Sequence, residues 1–256
     1  MIFRQLFDNQ TSTYTYLIAS DYGKESIIID PVDSKIDSYI QLLSELSLKL
    51  VYSIDTHVHA DHVTGSGLLM QQTNCKIIMG KQSKAENISL KANENEPIKI
   101  DNLTIQPIMG KQSKAENISL KANENEPIKI DNLTIQPIYT PGHTDDSYCF
   151  LLNNMVFTGD TLLIRGTGRT DFQNGNPFSQ YDSIFNKLLT LPDQTLVYPG
   201  HDYNGNTVST IFEERLFNPR LQIKSKDEYA ELMSNINLPK PKNIDIAVPK
   251  NLNCGM

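Results

Sequence analysis

All five histidines of this 256-residue chain stand in three short motifs. Three lie in THVHADH (residues 56–62), one closes TPGH (140–143) and one closes YPGH (198–201). A lone histidine is more often a core or surface residue than a ligand. That reading fails here on grouping, because no histidine is left over for ordinary duty. Each cluster follows a run that reads as a strand, where a loop can aim side chains into a shared cleft. In extended backbone His57 and His59 project to the same side. The chain then turns towards a helix, so that Asp61 and His62 can point back at the same spot. Asp160, in FTGD (157–160), adds a strand-end carboxylate that can bind or bridge metals. Neutral imidazole and carboxylate are ligands that suit zinc, iron and manganese. The motifs by themselves do not choose between one iron and two zincs.

Strands in two groups must position these residues. IFRQLF, TYTYLIAS and SIIIDPV read as successive strands across residues 2–32. Ser34 and Asp37 read as a capping box ahead of an amphipathic helix whose buried face is Ile36, Tyr39, Ile40 and Leu43. LKLVYSIDTH follows as a strand, GSGLLMQQT as a short helix and CKIIM as another strand. IQPIYTPGH, SYCFLLN and NMVFTGD are strand-like. A helix is expected over 179–190, with Ile184, Leu188 and Leu189 inward. TLVYPGH is a strand entering a loop, TVSTIFEERLF a helix stopping before Pro219, and KDEYAELMSNI a last helix. The tail NLPKPKNIDIAVPKNLNCGM, punctuated by prolines, is expected to be extended. Two sheets covered by helices make an α/β sandwich, and the whole of 1–256 reads as one domain.

Composition narrows the classes. A hydrophobic content of 39% supports a sizeable core, and the net charge of −7 without a dense Lys/Arg run argues against nucleic-acid binding. No apolar run approaches the ~20 residues of a membrane span. The first twenty residues lack the basic end and apolar stretch of a secretory signal. Cys75, Cys149 and Cys254 cannot build a disulfide framework, which points to a reducing, cytoplasmic setting.

Residues 79–108 and 109–138 are identical, letter for letter. Each copy holds a polar stretch and then IKIDNLTIQPI, a hairpin turning at Asp101-Asn102 or Asp131-Asn132. Two units do not make a solenoid. His57 and His143 lie 86 positions apart, and removing one copy of 30 would leave 56. CKIIMG continues the first helix–strand unit, and the second copy leads into His143. The surplus is therefore expected between them, including the hairpin at 98–108, as a surface excursion outside the core.

The order THVHADH, TPGH, FTGD, YPGH resembles the metallo-β-lactamase superfamily, which implies a four-layer αββα sandwich with the metal cleft along one edge. FTGDTLLIRGTGRTDFQNG, HDYNGNTVSTIFEERLFNPRL and the C-terminal tail are similar to the persulfide dioxygenases of that superfamily, as is the opening FRQLFDNQTSTYTYLIA. The resemblance spans nearly the whole chain apart from the extra copy. It implies one Fe(2+) per chain on His57, His143 and Asp160, the two-His-one-carboxylate set of non-haem oxygenases. His59, Asp61, His62 and His201 then orient ligands and shape the cleft. Arg169 and Tyr203 are the implied substrate-binding residues, with Arg165 a weaker candidate. The implied substrates are glutathione persulfide and O2, and the products with water are sulfite and glutathione. Thr167 stands where the family commonly has cysteine, Gly200 where alanine is frequent, and Asp146 and Ser147 where glycine and cysteine are frequent. Cys254 matches a tail cysteine of the family and reads as structural or redox-sensitive. Assembly as a homodimer is left open.

Two rivals share these motifs. A glyoxalase II-like thioesterase would use two zincs, but such enzymes usually carry Lys followed by an aromatic where this chain has GRTDF. A folded scaffold disabled by the duplication is the other. A nucleic-acid-processing member is disfavoured by the acidic balance and the lack of a large inserted domain.

Overall fold

The alternating pattern of the first thirty residues folds as three antiparallel strands, β1 (Ile2–Asp8), β2 (Thr13–Ala19) and β3 (Glu25–Ile29). The computed structural model describes residues 1–94, 133 and 135–256. Helix α1 (Ile36–Glu45) returns the chain so that β4 (Lys49–Ile54) pairs parallel to β3. Helix α2 (Ser66–Thr73) does the same for β5 (Lys76–Gly80), and β6 (Leu90–Ala92) adds parallel to β5. Among the described residues the first sheet thus runs β1-β2-β3-β4-β5-β6.

The second sheet begins with β7 (Ile135–Tyr139), β8 (Tyr148–Leu152) and β9 (Met155–Gly159), all antiparallel neighbours. A small ribbon, β10 (Leu162–Leu163) and β11 (Gly166–Thr167), precedes α3 (Pro177–Phe185). β12 (Leu196–Pro199) then pairs parallel to β9, and β13 (Ser209–Thr210) lies outside it. Helices α4 (Ile211–Phe217), α5 (Lys226–Ser234) and α6 (Ile244–Asn251) follow.

Side-chain alternation builds the layers. Tyr16, Ile18, Ile27 and Ile29 of the first sheet meet Phe150, Leu152 and Phe157 of the second. Their neighbours in sequence face the other way. Leu17 and Ile28 pack on Tyr39, Leu43 and Leu69 of α1 and α2, and Cys149, Val156 and Val197 pack on Ile184, Ile211 and Tyr229 of α3, α4 and α5. Each fully buried side chain of this kind contributes on the order of 1.5–3 kcal/mol. The order helix–sheet–sheet–helix is the expected αββα sandwich. All three cysteines are free and buried. Among the described residues no helix is long and apolar enough to cross a membrane.

Three local expectations are corrected. Asp33–Lys35 form a 3-10 turn, so the cap of α1 is Lys35 without a side-chain bond, and Ser34 sits inside the turn instead of opening a capping box with Asp37. The tail is helical over Ile244–Asn251 despite Pro249, because Val248 and Leu252 pack against Val58, Ile77 and Met79. That burial offsets the cost of a proline inside a helix. The expected helix over 179–190 is α3 followed by a separate 3-10 turn at Leu188–Thr190. Asn176 caps α3 by accepting from Ser179 N at 3.0 Å.

The first copy of the duplicated block supplies the end of β5 and all of β6, a strand hidden in what reads as polar connection, while the second copy supplies most of β7. Both Asp-Asn turns (101–102 and 131–132) and the surplus hairpin at 98–108 lie outside the described residues.

Candidate metal centre

Every histidine motif leaves the carboxyl end of a strand. His57, His59 and His62 follow β4, His143 follows β7, Asp160 follows β9 and His201 follows β12. β3–β4 and β9–β12 are parallel pairs, so their carboxyl ends open on the same edge, where α/β sheets place their ligands.

His57, His143 and Asp160 each bring one donor atom within 4.8 Å of the others. His143 Nδ1 donates to the Arg169 carbonyl at 2.7 Å. A carbonyl only accepts, so the His143 Nε2 lone pair is bare. Thr56 Oγ1 gives its own proton to Asp30 Oδ2 at 3.0 Å and therefore accepts from His57 Nδ1, also at 3.0 Å. The His57 Nε2 is bare for the same reason. His143 Nε2 stands 3.6 Å from Asp160 Oδ2, beyond hydrogen-bond range, and buried Asp160 Oδ1 has no hydrogen-bond partner. Two bare imidazole nitrogens and a carboxylate without a bond between them fit a divalent cation.

His59, Asp61 and His201 form a second such group. His59 Nε2 donates to Asp30 Oδ1 at 3.1 Å, leaving a buried Nδ1 without a partner. Asp61 Oδ2 accepts from His62 Nδ1 at 2.8 Å and from Thr13 Oγ1 at 3.3 Å. His201 Nδ1 donates to the Ser12 carbonyl at 3.2 Å, while its Nε2 stands 3.4 Å from Asp61 and 3.6 Å from Asp160.

Electrostatics follow from burial and these neighbours. Burial, reinforced by His59 and His143, holds the His57 imidazole well below its usual pKa. His59 is lowered by burial and by His62. Burial also works against a charged His201, but Asp160 and Asp61 outweigh it and push its pKa up to about 10. Asp160 is buried too, yet His201, His143 and His57 hold its carboxyl below the usual range. Burial pushes Asp30 up to about 7, with Thr56 opposing.

The loop at 166–169 touches the centre directly. An added Cβ at Gly168 would lie 2.0 Å from the Asp160 carbonyl oxygen and 2.9 Å from the His143 ring, so only glycine allows this approach. Gln180 Nε2 donates to the Gly168 carbonyl at 3.1 Å, and Tyr229 OH donates to Gln180 Oε1 at 2.8 Å. From the tail, Asn251 Nδ2 donates to the carbonyls of His59 and His62 at 2.9 and 2.8 Å.

Beside the centre lies a cavity of about 700 Å³ lined by His143, Asp160, Arg165, Arg169, His201 and Tyr203 among others. The three substrate-binding candidates all reach it but are not equally available. Arg165 is ion-paired with Glu213 and Glu214. Arg169 donates to both carboxylate oxygens of Asp171 at 2.6 and 2.7 Å and to the carbonyls of Pro239 and Leu238. It thereby ties the tail segment over the cavity, and its guanidinium stacks on Phe172. Tyr203 is 72% exposed, with its ring stacked 6.1 Å from that of His201.

Asp30, Thr56, Gln180 and Asn251 escaped the sequence reading. Asp30 had a signal, a carboxylate at the end of the apolar run SIIID. Thr56 directly precedes His57. Gln180 and Asn251 carry no local sign, since their partners lie 12 and at least 187 positions away. Thr167, one of the family departures, has a role of its own, because its hydroxyl accepts from Arg220 at 3.2 Å and can donate to the Tyr229 hydroxyl 3.3 Å away.

Two packed sheets with histidine loops along one edge define a class of protein, and the Metallo-beta-lactamase superfamily matches residues 8–201. Mouse (Mus musculus) persulfide dioxygenase ETHE1, mitochondrial, is 41% identical over all of this chain and 89% of its own length. The crystal structure of ETHE1 from Myxococcus xanthus is 44% identical, covers 100% of both chains and superposes with a TM-score of 0.86. A hydroxyacylglutathione hydrolase of Dictyostelium discoideum is 31% identical over 74% of this chain and 62% of its own. The chain belongs to the metallo-β-lactamase superfamily and, within it, to the persulfide dioxygenases.

Proposed function

We propose that the chain oxidises glutathione persulfide, using one Fe(2+) held by His57, His143 and Asp160. The overall reaction balances as glutathione persulfide, O2 and water giving glutathione, sulfite and two protons. Bound iron supplies the O2 activation that no side chain can perform. The protein's residues do the rest. Thr56 and the Arg169 carbonyl hold the two Nδ1 protons, which fixes both imidazoles with Nε2 towards the metal. Gly168 lets the 166–169 loop close on His143. The tail, tied down by Arg169, forms one wall of the cavity, and the exposed Tyr203 hydroxyl at the cavity is free to donate to substrate. Arg165 acts structurally, through Glu213 and Glu214.

The observation that carries this reading is the bare two-His-one-carboxylate set in a chain 41% identical from end to end to a persulfide dioxygenase. The thioesterase alternative has weaker support, since its relative matches only part of either chain. The test is oxygen uptake and sulfite release by iron-loaded protein given glutathione persulfide, beside hydrolysis of a glutathione thioester by zinc-loaded protein. Oxygen uptake with negligible hydrolysis is expected. Thioester hydrolysis without oxygen uptake would reverse the assignment.

A further inference from the structure

The FQNG stretch a few residues after Arg169 makes a costly turn. Gln173 and Asn174 have φ of +47° and +58°, and Gly175 N donates to the Phe172 carbonyl at 2.7 Å. Two consecutive left-handed residues closed by that bond give the φ pattern of a type I′ turn. Asparagine is common in such turns, whereas a left-handed backbone is unfavourable for glutamine. Strain of this kind persists where the surroundings hold it in place. Here the hold is the Gln173 side chain itself. It is half-buried, and its Nε2 donates at 2.6 Å to the carbonyl of Val58, 115 positions away. Val58 lies between His57 and His59 and is buried.

This bond joins two loops that leave different sheets. His57 follows β4 of the first sheet, and His143 follows β7 of the second. Segment 169–176 grips the second loop at three points. The Arg169 carbonyl accepts from His143 Nδ1 at 2.7 Å, Asn176 N donates to the Gly142 carbonyl at 2.8 Å, and Asn174 Nδ2 donates to Asp145 Oδ2 at 2.9 Å. Gln173 carries that grip across to the first loop. On the other side of His57, Tyr148 N of the second sheet donates to the Thr56 carbonyl at 2.9 Å. His57 is thus pinned through both flanking residues to the half of the molecule that supplies His143 and Asp160. The cavity lining does not include Gln173, so its reach is to the ligand loops and not to substrate. We propose that Gln173 is a positioning residue that sets the spacing of His57 and His143 by clasping their two loops together. This rests on the metal-binding part of the proposed function and not on the identity of the substrate.

Two substitutions separate the clasp from the fold. Gln173→Met keeps the length and the left-handed cost but removes the donor. Gln173→Gly removes the side chain and relieves the backbone. Iron-loaded proteins are challenged with a chelator, metal-free proteins are melted, and cobalt-substituted proteins are compared by visible absorption. Both variants should hold iron about 10- to 100-fold more weakly than wild type, and their cobalt bands should shift. The metal-free Tm of Gln173→Gly should stay within about 3 °C of wild type, because relief of the left-handed residue offsets the lost hydrogen bond. At full iron load, kcat for oxygen uptake with glutathione persulfide should fall about tenfold while KM stays within about threefold. Wild-type iron affinity in Gln173→Met would overturn the proposal, as would unchanged cobalt bands or a rise in KM without a fall in kcat. Should Gln173→Met fail to fold, Gln173→Gly decides, and weaker iron binding matched by a large loss of metal-free Tm would mark a merely structural role. Gln173-dependent iron affinity in a wild type that consumes no oxygen would support the clasp and refute the oxygenase reading. No iron binding by wild type would overturn both.

Discussion

Two histidine–carboxylate clusters share the cleft and are built from the same residue types, but their donor atoms are differently engaged. In His57, His143 and Asp160, oxygens outside the cluster take the Nδ1 protons, and Nε2 of each imidazole is left bare. In His59, Asp61 and His201, the carboxylate already accepts from His62 and Thr13 and stands 3.4 Å from His201. Both groups hold idle donors, Nε2 of His57 and His143 in the first and buried His59 Nδ1 in the second, but a cation at the second must also compete for Asp61 with a hydrogen bond the protein has already made. Ligand type and spacing do not distinguish a one-metal site from a two-metal site here. The proposed one-metal reading rests on the oxygens around them.

The largest effect should come from swapping the damage between the clusters. His143→Ala or Asp160→Ala should abolish stoichiometric iron and lower oxygen uptake by at least about 100-fold. Asp61→Asn should keep one iron per chain by metal analysis. Equal iron loss in all three would erase the difference. Next in size, Thr56→Val keeps the shape but removes the hydroxyl that holds His57. It should weaken iron binding about 10- to 100-fold in a chelator competition. Tyr229→Phe removes one hydrogen bond to Gln180 and one to Thr167 behind the first cluster. A cost of about 1 kcal/mol is expected, seen as a fall of about 2–4 °C in Tm. Deleting one copy of the repeated block should do least. Iron content should be unchanged, with a stability change within about 0.5 kcal/mol.

Much of this was legible in the sequence. The histidines and Asp160 could be assigned to one cleft because strand ends and motif spacing are local properties. The sandwich followed from alternation, as in Leu17 and Ile18 facing opposite layers. What was not legible depends on long-range contacts. The prolines of the tail imply an extended chain, yet it forms a helix over Ile244–Asn251 because Val248 and Leu252 find a buried partner surface. Arg165 and Arg169 looked available until their partners Glu213, Glu214 and Asp171 were in place. Asn251 braces the THVHADH loop from nearly 190 positions away, a link no spacing rule could suggest.

Under the proposed function His57, His143 and Asp160 hold the metal, and His59, Asp61 and His201 hold none. An anaerobic Fe(2+) titration of metal-free protein, followed by oxygen uptake at each point, tests it most directly. Activity should rise linearly and reach its plateau at one iron per chain. A plateau reached only at two metals per chain would contradict it.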